Sequence, residues 1–209
     1  SVQRTAGQLG RLGSAIGLWA FLQFLLSGAV LGLLHWVLSV ALAMLGDSLL
    51  VAPVFSEDGA VSYYLPDGIW TNYFTGERVK GGCWKHEKHG FMSLPLMVRP
   101  NSIIAVGNNK VKPDYDYADG ITLHAFELRE GIKPVTVYGT DGSIQLNIRL
   151  ERKGKVICAE APGASKPWSM VIHGGDEIDS VEGARYELKS MGVHIIPDSY
   201  ASKFNIYLK

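Results

Sequence analysis

Residues 46–107 consist of short apolar runs, each ended by turn-forming residues, and this punctuation constrains the fold more than any other feature. The run at residues 48–55 ends before the turn Ser56-Glu57-Asp58-Gly59, and the run at 61–65 ends at Pro66-Asp67-Gly68. Proline, aspartate and glycine supply the backbone angles that tight turns require. Closely spaced runs of this length without a helical period predict β-strands in a sandwich or barrel.

Pro95 predicts one atypical strand within this region. It lies inside the apolar run at residues 93–98, which ends before a further predicted turn at Pro100-Asn101. Proline has no amide hydrogen and therefore cannot donate to a strand ladder, so it is found at sheet edges and bulges. We expect this strand to lie at an edge or to carry a bulge.

Residues 120–209 show the same punctuation. Between residues 144 and 150, apolar side chains alternate strictly with polar ones, which is typical of a strand with one buried face and one wet face. The polar stretch at 108–119 is interpreted as a linker. The predicted fold class is therefore all-β, with two antiparallel β-sandwich domains in tandem, at 46–107 and 120–209, preceded by an apolar helical segment at 1–45.

That apolar segment has three interpretations. Residues 16–45 contain no charged side chain, and this run is longer than the roughly 20 apolar residues that a membrane-spanning helix needs. A buried helix pair inside a larger protein, or a non-native stretch joined to a genuine domain, would also fit. A membrane is a possible partner only through residues 16–45.

Four stretches in the first domain carry a family resemblance. They are GDSLLVAPVF, YLPDGIWTNYFTGE, GG-x-W and SLPLMVRPNSIIAVG, in that order between residues 46 and 107. They resemble the region that follows the catalytic barrel in glycoside hydrolase family 31, and they are most similar to its bacterial α-xylosidase branch. The resemblance implies a proximal C-terminal β-sandwich packed against a (β/α)8 barrel, followed by a distal β domain.

The resemblance also implies what the parent enzyme does and what this chain lacks. The family hydrolyses α-linked xylose or glucose from oligosaccharides without a cofactor, in the cytoplasm. Its mechanism needs two carboxyl groups about 5 Å apart, and in this family both lie on barrel strands upstream of the matched region. Residues 1–46 contain no aspartate or glutamate. We therefore predict no catalytic, cofactor or metal site in this chain, and its substrate-binding residues are unknown.

Two groups of potential metal ligands occur in the sequence: Cys83, His86 and His89 in the first domain, and Asp114, Asp116 and Asp119 in the linker. A structural zinc site needs four ligands, and the first group offers three, in a stretch interpreted as a polar loop. The second group lacks the closing glutamate of a calcium loop, since Ala125 stands in its place. Both groups are interpreted as solvated.

His124, His173 and His194 fall on three separate predicted strands. None has a nucleophile beside it in the sequence. Lone strand histidines are interpreted as packing residues.

Three functions fit these observations. The first is an accessory C-terminal part of a family 31 enzyme that supports the barrel, with an exposed apolar patch larger than a monomer tolerates and a homo-oligomer as a further possible assembly. The second is a carbohydrate-binding module, which predicts that Trp70 or Tyr73 is exposed and coplanar with a neighbouring ring. The third is a membrane-anchored β domain, if residues 16–45 are native. Nucleic acid is not expected as a partner, because 20 basic residues balance 20 acidic ones.

Overall fold

The computed structural model describes residues 44–200 and 203–209. Within these ranges the chain forms strands and turns with no helix, which confirms the predicted all-β class. No helix in this part of the chain is long and apolar enough to cross a membrane. The predicted apolar helix falls outside the described residues, except for Met44–Leu45, which form a short strand instead.

The strands, in chain order, are β1 (Met44–Leu45), β2 (Leu49–Val51), β3 (Ala60–Leu65), β4 (Ile69–Asn72), β5 (Arg78–Lys80), β6 (Cys83–Lys88), β7 (Leu96–Val98), β8 (Ser102–Val106), β9 (Ile121–Phe126), β10 (Gly131–Tyr138), β11 (Ile144–Lys153), β12 (Val156–Glu160), β13 (Trp168–His173), β14 (Ile178–Glu182), β15 (Ala184–Lys189), β16 (Gly192–Pro197) and β17 (Lys203–Leu208).

The first five-stranded sheet, here called the proximal sheet, has the order β1-β2-β7-β4-β5. Its central strand β7 is the one for which Pro95 predicted an edge or a bulge, and that prediction is wrong. The strand begins at Leu96, one residue after the proline, and pairs with β2 and β4. Pro95 still contributes its carbonyl, which accepts a hydrogen bond from the Ala52 amide at 3.2 Å. A proline immediately before a strand leaves the ladder intact.

A two-stranded antiparallel ribbon, β3 with β6, accompanies the proximal sheet. Its register runs from Ala60 opposite Lys88 to Leu65 opposite Cys83. The polar loop predicted around residues 86–89 is therefore wrong for residues 86–88, which lie in β6. Their polarity reflects the exposure of the ribbon rather than irregular backbone, because most of β6 faces solvent.

Residues 102–209 form two five-stranded sheets. One, the long sheet, has the order β10-β11-β12-β17-β14; the other, the histidine sheet, has the order β15-β16-β13-β9-β8. The predicted alternation in β11 is confirmed for Leu146, Ile148 and Leu150, which are buried, but not for Ile144 at the start of the strand, which is 59% exposed.

One core of buried side chains draws on both of these sheets. The long sheet contributes Ile148, Ile157 and Ile206. The histidine sheet contributes, among others, Leu123 and Met170. Because side chains of both sheets enter one core, the two sheets face each other across it.

Among the strand pairs whose register the structure describes, one departs from the predicted antiparallel pattern. β9 and β13 are parallel, with Trp168 opposite Ile121 and His173 opposite Phe126. The chain between them passes through β10, β11 and β12, which belong to the long sheet. Since the chain crosses to the other sheet and returns, it re-enters beside β9 in the same direction.

The boundary between the two predicted domains is bridged by β8. This strand ends the region predicted as the first domain, yet it pairs with β9 at the edge of the histidine sheet, with Ile104 opposite His124. Asn101, at the turn predicted before β8, has a φ of 61°. The predicted linker at 108–119 follows β8 and contains no strand. The division into domains at this linker stays a prediction.

Candidate functional site

The most exposed apolar side chains near the proximal sheet lie in two loops, at residues 52–59 and 89–95. Both loops are at the same end of the sheet. Phe55, Phe91 and Met92 have exposed fractions of 91%, 103% and 93%. The two loops share this end because one follows β2 and the other precedes its partner β7. We call Phe55, Phe91, Met92 and the partly exposed Leu94 the apolar end.

Backbone hydrogen bonds hold the loops of the apolar end together. The His89 amide donates to the Gly59 carbonyl at 2.9 Å, and the Ala52 amide donates to the Pro95 carbonyl at 3.2 Å. Gly59 has a φ of 78°, and a Cβ there would collide with the His89 carbonyl oxygen. Only glycine fits this close approach. The side chains of the apolar end are therefore presented by loops whose backbone is held by hydrogen bonds.

Sequence reasoning missed these side chains as a group. Phe55 is predicted at the end of a strand at residues 48–55, but β2 ends at Val51. Phe91 and Met92 form a short apolar interruption of a polar stretch, just after Gly90. That interruption, a large apolar pair inside a loop, is the signal that could have identified them.

Trp70 and the Tyr73–Phe74 pair do not form the exposed, coplanar aromatic surface expected of a carbohydrate-binding module. Trp70 is 1% exposed, and its indole nitrogen donates to the Pro66 carbonyl at 2.8 Å. The Tyr73 ring meets Phe74 edge-on, with an interplanar angle of 82°. The prediction that Trp70 or Tyr73 is exposed and coplanar with a neighbour is therefore wrong for Trp70 and for the Tyr73–Phe74 pair. Trp70 packs as a core residue, as large aromatic side chains commonly do.

The three histidines predicted on separate strands lie on one face of the histidine sheet. His124 of β9 and His194 of β16 both stand opposite Val171 of β13, one on each side. His124 Nδ1 lies 2.8 Å from His173 Nε2, so that one ring donates to the other. The His173 ring also stacks on Phe126, with centroids 4.2 Å apart. Sequence reasoning missed this cluster because it did not pair β9 with β13.

The cluster is uncharged at neutral pH. Burial lowers the pKa of His173 to about 4, and the neighbouring His124 adds to this shift. Burial likewise lowers the pKa of His124, with a smaller effect from His194. Imidazoles whose pKa is lowered by burial are neutral near pH 7 and serve there as packing and hydrogen-bonding groups.

The potential metal ligands make other contacts. His86 Nδ1 lies 2.8 Å from the Ser62 hydroxyl, and His89 Nε2 lies 3.0 Å from a Glu87 carboxylate oxygen. Asp116 of the second group forms an ion pair with Lys166. In the part of the chain that the structure describes, no three or more His, Cys, Asp or Glu side chains are grouped to hold a metal ion.

An open cleft of about 490 Å³ lies where Ile69 and Pro100 meet residues 127–130, Arg152 and Asp176. The Arg152 guanidinium donates to the two carboxylate oxygens of Asp176 at 2.7 and 3.2 Å. It also donates to the Leu128 carbonyl at 2.6 Å. Because Arg152, Asp176 and the Leu128 carbonyl are hydrogen-bonded to one another, we interpret the cleft as a structural feature.

Two family models match the chain. The model described as "Glycosyl hydrolase family 31 C-terminal domain" matches residues 41–104, and the model described as "Alpha-xylosidase YicI, C-terminal domain" matches residues 116–208. The unmatched interval coincides with most of the polar stretch between the two predicted domains.

The chain is also similar to much longer proteins. The alpha-xylosidase XylQ of Lactiplantibacillus pentosus is 30% identical over 133 residues, which are 62% of this chain and 18% of that protein. An alpha-xylosidase of Emericella nidulans is 39% identical over 88 residues, 38% of this chain and 11% of that protein. The chain thus spans less than a fifth of the length of these relatives.

Among solved structures, the cycloalternan-forming enzyme from Listeria monocytogenes, in complex with a pentasaccharide substrate, superposes with a TM-score of 0.63 at 18% identity. The match covers 79% of this chain and 18% of that enzyme. At this identity the likeness concerns the fold alone.

Proposed function

The chain belongs to the C-terminal region of glycoside hydrolase family 31, and we propose that it supports the catalytic barrel of a parent α-xylosidase or α-glucosidase through the apolar end. The region is an accessory, non-catalytic part of such an enzyme. The parent would hydrolyse α-linked xylose or glucose at the end of an oligosaccharide.

The observation that carries this proposal is the exposure of the apolar end. Phe55, Phe91 and Met92 are each more than nine-tenths exposed, although loops with defined hydrogen bonds present them. Isolated exposed apolar residues are ordinary, but several at one end of a sheet mark an interaction surface. Their place in the region that matches the family 31 C-terminal domain points to the rest of the enzyme as the partner.

The proposal includes a domain organisation. We propose a proximal C-terminal β-sandwich at 46–107, a linker at 108–119 and a distal β-sandwich at 120–209. The shared core of the long and histidine sheets supports the distal sandwich. The proximal sheet with its ribbon supports the other, and β8 would be an exchanged edge strand that joins the two.

The experiment combines the chain with a truncated relative. The alpha-xylosidase XylQ, lacking the part that this chain matches, is mixed with the 209-residue chain, and binding is measured by titration calorimetry alongside α-xylosidase activity. We expect a complex that is more active than truncated XylQ alone. The double variant Phe55→Asp/Phe91→Asp should weaken binding at least about tenfold, since buried aromatic anchors dominate interfaces.

A matched control uses exposed apolar residues elsewhere. Ile132 and Ile144 are 51% and 59% exposed, and they lie on β10 and β11 of the long sheet. The double variant Ile132→Asp/Ile144→Asp should bind truncated XylQ as the unchanged chain does. Equal binding by the unchanged chain and the Phe55→Asp/Phe91→Asp variant would contradict the proposal.

A further inference from the structure

β15 is an edge strand of the histidine sheet with exposed side chains on both faces. It pairs with β16 through six consecutive residue pairs, from Ala184 opposite Pro197 to Lys189 opposite Gly192. Leu188 is 80% exposed and Tyr186 is 45% exposed. In the described part of the chain no strand pairs with its other side.

The hydrogen-bond alternation fixes which backbone groups of β15 face outward. The Asp198 amide donates to the Gly183 carbonyl at 3.2 Å, just before β15 begins. In an antiparallel ladder, hydrogen-bonded and non-hydrogen-bonded pairs alternate along the strand. Residues 185, 187 and 189 therefore bond to β16, whereas the amides and carbonyls of Ala184, Tyr186 and Leu188 point away from the sheet.

Both edges of the long sheet, by contrast, are interrupted. β10, at one edge, contains Pro134 and a register shift between Val137 and Tyr138. β14, at the other edge, has a register shift between Ile178 and Ser180. Prolines and bulges are devices that prevent edge strands from pairing with further chains. β15 has neither.

We propose that β15 pairs with β15 of a second copy of this chain, antiparallel about a two-fold axis at Tyr186. Tyr186 then forms a hydrogen-bonded pair with Tyr186 of the second copy. Ala184 stands opposite Leu188 of the second copy, so the outward-facing amides and carbonyls of the strand find partners. Two five-stranded histidine sheets become one continuous sheet.

Charge favours this register over the one with its axis at the next residue, Glu187. With the axis at Tyr186, Arg185 of each copy stands opposite Glu187 of the other, which gives two attractive cross-strand pairs. An axis at Glu187 would instead place Glu187 opposite Glu187 and Arg185 opposite Lys189. Like charges directly opposite destabilise a strand pair, so the alternative is disfavoured.

The other face of the same pairing buries apolar surface. Leu188 covers the small Ala184 of the second copy, and the two Tyr186 rings lie side by side across the axis. Cross-strand aromatic and aliphatic pairs stabilise such ladders. Both faces of the strand and its backbone therefore favour one partner, a second copy.

The test measures the oligomeric state of the 209-residue chain by analytical ultracentrifugation. We expect a concentration-dependent dimer. Arg185→Glu should raise the dissociation constant by about tenfold or more, because two attractive pairs become repulsive. The double variant Arg185→Glu/Glu187→Arg restores opposite charges in this register and should dimerise as the unchanged chain does.

Lys189→Glu is the matched control, since Lys189 stands opposite Gly183 in this register and its reversal should leave dimerisation unchanged. A chain that stays monomeric at all concentrations would overturn the proposal. So would a dimer that is insensitive to Arg185→Glu, or a double variant that fails to recover. Circular dichroism of each variant verifies that the chain still folds.

Discussion

Residues 46–101 and residues 102–209, here called the proximal and distal regions with β8 assigned to the sheet that it joins, bury their apolar side chains to different extents. In the distal region, side chains of two sheets close one core, in which Ile157 and Ile206 have no exposed surface. The proximal region buries Trp70 and Val98 but leaves its apolar end open. The core of the distal region is thus closed, whereas nothing among the described residues covers the apolar end of the proximal region.

The difference in burial means that the two regions do not derive their stability in the same way. Burial of apolar surface is the main source of stability in a domain, so a closed core lets the distal region hold its own shape. Under the proposed function, the apolar end contributes buried surface, and hence stability, to the proximal region only when the barrel covers it. We therefore expect mutations in the two regions to differ most where their burial differs.

The largest expected effect is in the distal core. Phe204 is 1% exposed and its ring centroid lies 5.7 Å from that of Trp168. Phe204→Ala should lower the free energy of unfolding by about 3–5 kcal/mol, because it removes buried apolar contacts and leaves a cavity. Urea denaturation followed by circular dichroism measures it. A loss below about 1 kcal/mol would show that the distal core is not closed.

A smaller loss is expected from a backbone contact in the proximal region. A Cβ at Gly81 would collide with the Pro66 carbonyl oxygen. Gly81→Ala should therefore lower the free energy of unfolding, measured in urea, by about 2–3 kcal/mol, because the turn between β5 and β6 must shift. Gly90→Ala, where no atom lies within 4 Å of the added Cβ, is the control. Equal stability of the two variants would contradict the close contact at Gly81.

The histidine cluster should make the stability of the distal region depend on pH. The pKa of His173 falls from 6.5 to about 4 on folding because the ring is buried, so the unfolded chain binds the proton more readily. This contribution to stability is fully present above pH 6.5 and declines as the pH falls toward 4, with about 2 kcal/mol lost by pH 5. His173→Phe should flatten the dependence in urea titrations at each pH. An unchanged pH profile would contradict the assignment to His173.

The smallest effect on the chain itself is expected at the apolar end. Phe91→Ser should change the free energy of unfolding by less than about 0.5 kcal/mol, because Phe91 is fully exposed and surface substitutions are usually neutral. The same urea denaturation measures this variant beside Phe204→Ala. A loss comparable to that of Phe204→Ala would mean that the apolar end is already covered.

Local patterns predicted much of the fold. The alternation in β11 from Leu146 to Leu150 and the turns near Gly59 and Asn101 correspond to the structure, because strand period and turn chemistry are local properties. The prediction from Pro95 is wrong because the proline lies one residue before the strand β7 and not inside it. The parallel pairing of β9 with β13 depends on which sheet the intervening strands join, and no local pattern records that.

The candidate sites were harder to predict for the same reason. The histidine cluster exists because His124 and His173 are brought together by that parallel pair. The apolar end depends on exposure, and an apolar residue in a sequence does not reveal whether anything covers it. The ARYELK sequence of β15 does not predict a strand by composition, since half of its residues are charged.

Native-state hydrogen exchange of the 209-residue chain tests the difference between the two regions most directly. Amides of β11, β12 and β17 should exchange only with global unfolding, since they surround the closed core, whereas amides of β2 and β7 should exchange through openings of lower free energy. That ordering is the result we predict. Equal protection in both regions would contradict it, because the proximal region would then resist local opening as strongly as the distal region does.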